Sequence, residues 1–158
     1  MNSAGALRRC ARSGPVRSET PDPVKDGVGI LLRVIFKLER ELMKIMQYTD
    51  VKPVIFDSGM AKGIAARVVI GKNDGADNFC MRIFEVSAAG SSPRHSHDWE
   101  HEIFIHSGAG EVYNNGNWTP VAAGSIVFIP GKEEHQIRNA GSELLVFACL
   151  IPSKAPEL

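Results

Sequence analysis

The stretch Pro93–Phe104, PRHSHDWEHEIF, holds His95, His97 and His101 within seven residues, interleaved with Asp98, Glu100 and Glu102. A metal site, an acid/base pair and a polar turn all have this composition, and the surroundings decide among them. All five histidines of the 158-residue chain, the other two being His106 and His135, lie between residues 95 and 135. In a strand, side chains alternate faces. His95 and His97 therefore share a side, His101 returns to it at an even offset, and Glu102 and His106 take the opposite one. Imidazoles converging inside a fold are costly without an ion, and neutral imidazole suits Zn, Cu, Fe, Ni and Mn. The parity favours a metal for His95, His97 and His101 and leaves His106 an ordinary outward residue. Asp98, Glu100 and Glu102 read as solvated charges or as partners that orient imidazole N–H groups.

Outward from this run the chain is written in short strands. VKPVIF, IAARVVI, FCMRIFEV, HEIFIH, GEVYN, SIVFIP, HQIRN and ELLVFACLI are rich in β-branched and aromatic residues and are separated by Gly, Asn, Asp and Pro. YNNGNW, Tyr113–Trp118, is a hairpin signal, because Asn-Gly accepts the positive φ values of a tight turn. The fold class is all-β, a sandwich or barrel.

The N-terminal third reads differently. Residues 1–45 carry nine Lys/Arg against five Asp/Glu, and residues 46–158 nine against thirteen, so a net charge of zero hides a basic extension and a mildly acidic body. An acidic body argues against nucleic acid as a partner. Residues 1–27 are rich in Arg, Ser, Gly and Pro with no apolar period, the composition of a disordered tail. Its arginine-rich, acid-poor first part also resembles a transit peptide in composition. Over residues 28–47, Leu31, Ile35, Leu38, Leu42 and Ile45 recur at helical spacing and predict an amphipathic helix. Its apolar stretch, interrupted by Arg33, is too short to span a bilayer, so no membrane association is expected. Met43 and Met46 stand just ahead of the strand-rich region, which an extension translated from upstream of the natural start would explain equally well. Cys10, Cys80 and Cys149 are odd in number and lack CxxC spacing, which suits a reducing cytoplasm.

The residues from Gly90 to Gly108 resemble the first motif of the cupin superfamily: a glycine, HxH, three or four residues, a glutamate, six residues and a glycine. His101 occupies the glutamate position. Gly124, Pro130, His135 and Asn139 in GSIVFIPGKEEHQIRN resemble the second motif. Only four residues separate Gly90 from His95 where five are usual, and Lys132 stands where a glycine is usual, with Gly131 beside it. The resemblance covers about residues 46–153 and is similar to small single-domain bacterial cupins that hold manganese with four histidines.

It implies a jelly-roll barrel with an N-terminal extension at 1–45, a C-terminal tail at 154–158, metal ligands His95, His97, His101 and His135, and a homodimer. It also implies a divalent ion, Mn(II) first, with Fe(II), Ni(II), Cu(II) and Zn(II) as alternatives. Four neutral imidazoles would leave the ion its full charge and about two open positions. The function expected first is oxygenase-type chemistry with dioxygen or peroxide on a small organic molecule. A binding module without turnover, and a non-redox isomerase or decarboxylase, are the alternatives; the last needs an inward base or a cluster of anion-binding basic residues. For the pocket, Ile105 shares parity with His101, and the resemblance favours Phe147 and Cys149 near the ion. Arg82 either points inward, where it would meet an anionic substrate, or lies exposed beside Glu85.

Overall fold

The computed structural model describes residues 29–31 and 43–158. Residues 29–31 are helical, whereas 43–47 are not and lead into a 3-10 turn, Tyr48–Asp50. The expected helix therefore does not reach Gln47; its middle and the tail 1–27 lie outside the described residues.

Nine strands follow: β1 (Val54–Phe56), β2 (Lys62–Ile70), β3 (Phe79–Ser91), β4 (His101–Ser107), β5 (Ala109–Asn114), β6 (Asn117–Ala122), β7 (Ile126–Ile129), β8 (His135–Arg138) and β9 (Leu145–Pro152). They form one curled antiparallel sheet in the order β6-β5-β8-β3-β9-β4-β7, with β2 paired to β3 and β1 paired to β2. The all-β reading holds. β6 is the strand not picked out as a run of its own, since its NWTPVA carries a proline; Pro120 is tolerated because β6 borders only β5. The hairpin is as expected: Asn115 and Gly116 take φ of 47° and 84°, and Asn114 pairs with Asn117.

The alternation is strict where it matters. Along β4, His101, Ile103 and Ile105 are buried while Glu102, Phe104 and His106 are exposed. Leu145, Phe147, Cys149 and Ile151 of β9 face the same interior, with Ile64, Val86, Ile129 and Ile137 completing the core. Register then brings distant residues together: Arg82 of β3 pairs with Cys149 of β9, which pairs with Ile103 of β4. Proline limits the first strand as well, since VKPVIF forms a strand only from Val54, after Pro53. Among the described residues no helix is long and apolar enough to cross a membrane.

Candidate metal centre

His95 and His135 are cross-strand partners joined by two backbone hydrogen bonds, His95 N to His135 O at 3.1 Å and His135 N to His95 O at 2.9 Å. Each imidazole is oriented the same way. The Nδ1–H of His95 donates to the carbonyl of Pro93 at 2.9 Å, and that of His135 to the carbonyl of Glu133 at 2.8 Å. A carbonyl only accepts, so Nδ1 must hold the hydrogen in both rings, which in the neutral imidazole leaves Nε2 as a bare lone pair. The Nε2 of His135 is buried with no hydrogen-bond partner, a costly state for an acceptor unless a ligand meets it.

His97 completes the rim of the site. It stacks on Trp99, ring centroids 4.1 Å apart and planes 6° apart, and its carbonyl accepts from Lys132 N at 2.6 Å. One donor atom each from His95, His97 and His135 lies within 4.8 Å of the others, a spread that can hold a metal ion. His101 approaches from β4, with its Nε2 2.8 Å from that of His97. Two nitrogens at about 2.1 Å from one ion and at right angles are separated by about 3 Å, so this spacing also suits adjacent ligands. Burial lowers the pKa of His97 and of His135. For His101, burial first and then the Arg82 guanidinium push it down to about 3. Neutral imidazole is the form a metal needs. The residues present therefore fit a divalent ion.

The far side of His101 is built from residues distant in the chain. Its Nδ1 lies 3.4 Å from Cys149 Sγ and 3.4 Å from Arg82 Nη2, and Arg82 Nη2 donates to Cys149 Sγ at 3.0 Å. Burial pushes the Cys149 thiol up. Arg82 points inward and is 8% exposed. Glu85, its alternative partner, is taken by Arg67 at 2.8 Å. These groups border a cavity of about 220 Å3 whose wall is mostly apolar, with Phe84, Ile103, Ile129, Ile137 and Phe147 facing His95, His101 and His135. Phe84 and Phe147 stack at 5.1 Å. Ile105, expected in the pocket, is fully buried in the core and absent from the cavity wall: it lies two residues beyond Ile103, deeper along β4. His106 is exposed on the outer face, away from the cluster. Asp98 is exposed and Glu102 faces outward, and the groups that orient His95 and His135 are carbonyls rather than these carboxylates.

Trp99 and Phe84 were not singled out by the sequence. The signal for Trp99 was available, an aromatic two residues beyond His97 in a histidine-rich turn; Phe84 shares the inward parity of Arg82.

The cupin-domain family profile matches residues 82–151. A polyketide cyclase, RemF, from Streptomyces resistomycificus is 36% identical, over 73% of this chain and 82% of that one, with a TM-score of 0.68. A protein described as a predicted oxalate decarboxylase from Thermotoga maritima is 25% identical over 69% and 98% of the two chains, TM-score 0.63. A cupin 2 conserved barrel domain protein from Rhodopseudomonas palustris is 25% identical over 73% and 83%, TM-score 0.61. No curated protein sequence matches the chain.

Proposed function

Because this chain belongs to the cupin family, we propose that it is a metal-dependent enzyme acting on a small, largely apolar, carbonyl-bearing molecule. The reaction proposed is a non-oxidative ring closure or rearrangement of the kind the name of its polyketide cyclase relative denotes. The observation that carries it is the cavity itself: a histidine cluster on one wall, apolar side chains elsewhere, and an inward Arg82. His95, His97, His101 and His135 are the proposed ligands and Mn(II) the proposed ion. When bound, the ion would supply Lewis acidity to a carbonyl oxygen. The chain's own residues do the rest. Phe84, Ile103 and Phe147 exclude water and hold the carbon skeleton, which strengthens every charge interaction inside. Burial favours the neutral form of His97, His101 and His135, and Arg82 places positive charge beside the reacting region. A cavity of about 220 Å3 is smaller than most ligand pockets, so the substrate, or its reacting end, has one or two rings.

A second reading, oxygenase chemistry, is favoured by the same four neutral imidazoles, which leave the ion its full charge and favour its lower oxidation state. Incubating metal-loaded protein with small di- and triketones separates the two. Metal-dependent product formed without consumption of dioxygen or peroxide supports ring closure or rearrangement. Consumption of oxidant supports the second reading, and no metal-dependent product with any such ketone overturns both in favour of a binding module.

A further inference from the structure

The guanidinium of Arg82 is, among the described residues, a buried cation without a counter-ion. Among the described residues no carboxylate lies within salt-bridge distance of it; the ion pairs formed are Lys44–Asp74, Arg67–Glu85 and Arg138–Glu111. The nearest acidic residue in the chain's C-terminal segment, Glu157, offers only its backbone carbonyl, 3.4 Å from Nη1, because its carboxylate accepts from Lys72 N at 2.7 Å. Nη2 reaches the sulfur of Cys149 and lies 3.4 Å from His101 Nδ1, neither of them a carboxylate, and Nε is buried with no partner. Phe84 lies beside the group, 5.1 Å from ring centroid to guanidinium carbon, and offers no hydrogen-bond acceptor. An arginine has five N–H donors in a planar fork matched to two oxygens, and burying it unpaired is costly. A fold keeps such a group where something else completes it.

We infer that Arg82 is the anchor for an oxyanion of the substrate, a carboxylate or the oxygen of an enolate or phenolate, held in the cavity between Phe84 and His101. This rests on the reading of the cavity as a substrate site and names one feature of its occupant. The placement has a chemical consequence. Arg82 and the histidine cluster flank the same space, so a molecule carrying an oxyanion and a carbonyl a few bonds apart can engage the guanidinium with the first while directing the second at the imidazoles. A neutral hydrocarbon of the same shape would leave the guanidinium bare.

The test is equilibrium binding to metal-loaded protein, which is independent of whether any reaction follows. Benzoate, 4-nitrophenolate and the neutral benzamide are compared by calorimetry at a pH where the first two are ionised. At least one of the two anions should bind about ten- to hundredfold more tightly than benzamide, as a charge-assisted pair does, and which of them binds tells carboxylate from phenolate. In Arg82→Met the preference should vanish while metal content and melting temperature stay near those of the wild type; Arg82→Lys, which keeps the charge, should retain part of it. Should Arg82→Met fail to fold, the comparison is made with Arg82→Lys alone, where loss of the two-oxygen fork must still lower carboxylate affinity several-fold. Equal binding of anions and benzamide by the wild type, or a preference that survives in Arg82→Met, overturns the assignment. So does a thiolate absorbance that disappears in Cys149→Ser, because the guanidinium would then already hold its counter-ion.

Discussion

The two sides of the histidine cluster are built by different means. At the rim, His95 and His135 are each oriented by the carbonyl two residues earlier, Pro93 and Glu133, and are locked to each other by backbone hydrogen bonds. At the floor, His101 is met by Arg82 and Cys149, 19 and 48 residues away in sequence. The rim is local and made of backbone; the floor is tertiary and made of side chains. The rim geometry therefore survives most side-chain changes nearby, whereas the floor depends on what β3 and β9 carry and is where related chains can change chemistry without moving the rim histidines.

The largest effect expected is at the rim. His135→Ala removes a proposed ligand whose Nε2 lacks any other partner, and metal analysis should show a chain with little or no bound ion. His106→Ala, on the outer face, should keep its full metal content. Retention of metal by His135→Ala, or its loss in His106→Ala, would break the distinction between the inner and outer faces of these strands.

That distinction was legible in the sequence because strand parity is a local rule. The buried set His101, Ile103, Ile105 and the exposed set Glu102, Phe104, His106 follow from counting by two. The carbonyl contacts of the rim are local as well, but the sequence pointed to Asp98, Glu100 and Glu102 for that role, because strand parity does not set the course of the loop that brings the Pro93 and Glu133 carbonyls to the rings. Arg82 shows where counting stops. Its inward direction depends on β3 pairing with β9 in the register that sets Arg82 opposite Cys149, and on Glu85 facing Arg67 instead. Neither follows from the run FCMRIFEV alone. Ile105 failed as a pocket residue for a related reason: parity gives the face but not the depth along the strand.

A second, smaller effect sharpens the floor. An unfolded histidine titrates near 6.5, whereas His101 is lowered to about 3 in the fold. Between those values the unfolded chain binds a proton that the folded metal-free protein does not. The contribution of His101 is therefore fully present above about pH 6.5 and is lost as the pH falls toward 3, with a limiting slope of about 1.4 kcal/mol per pH unit for one proton. His97 and His135, also lowered, act in the same direction. Denaturant unfolding of the metal-free protein at pH 7 and pH 5 should show the loss, and His101→Gln, which cannot take up the proton, should flatten it. An unchanged slope in His101→Gln would mean that the floor is wetter than its burial implies and that the rim histidines carry the pH dependence.

The smallest effect belongs to the loop behind the rim. Lys132 stands where the second motif usually has glycine, and it takes the conformation glycine would favour, with φ of 70°. The neighbourhood enforces this. Gly131 packs so closely on the carbonyl of Asp98 that a Cβ there would overlap it, and Lys132 N must turn to donate to the carbonyl of His97. A left-handed conformation costs an L-residue roughly 1–2 kcal/mol. Glycine removes that strain but gives back about 0.4–1 kcal/mol through the greater freedom of its unfolded chain. Lys132→Gly should therefore be stabilising by only about 0.5–1 kcal/mol, a rise of a few degrees in melting temperature, with metal content unchanged. A destabilised Lys132→Gly would show that the lysine side chain itself supports the turn. Lost metal in that variant would mean that the His97 carbonyl contact, rather than the stacking of Trp99, is what holds His97 toward the cluster, and that the backbone rim is less tolerant than its local construction suggests.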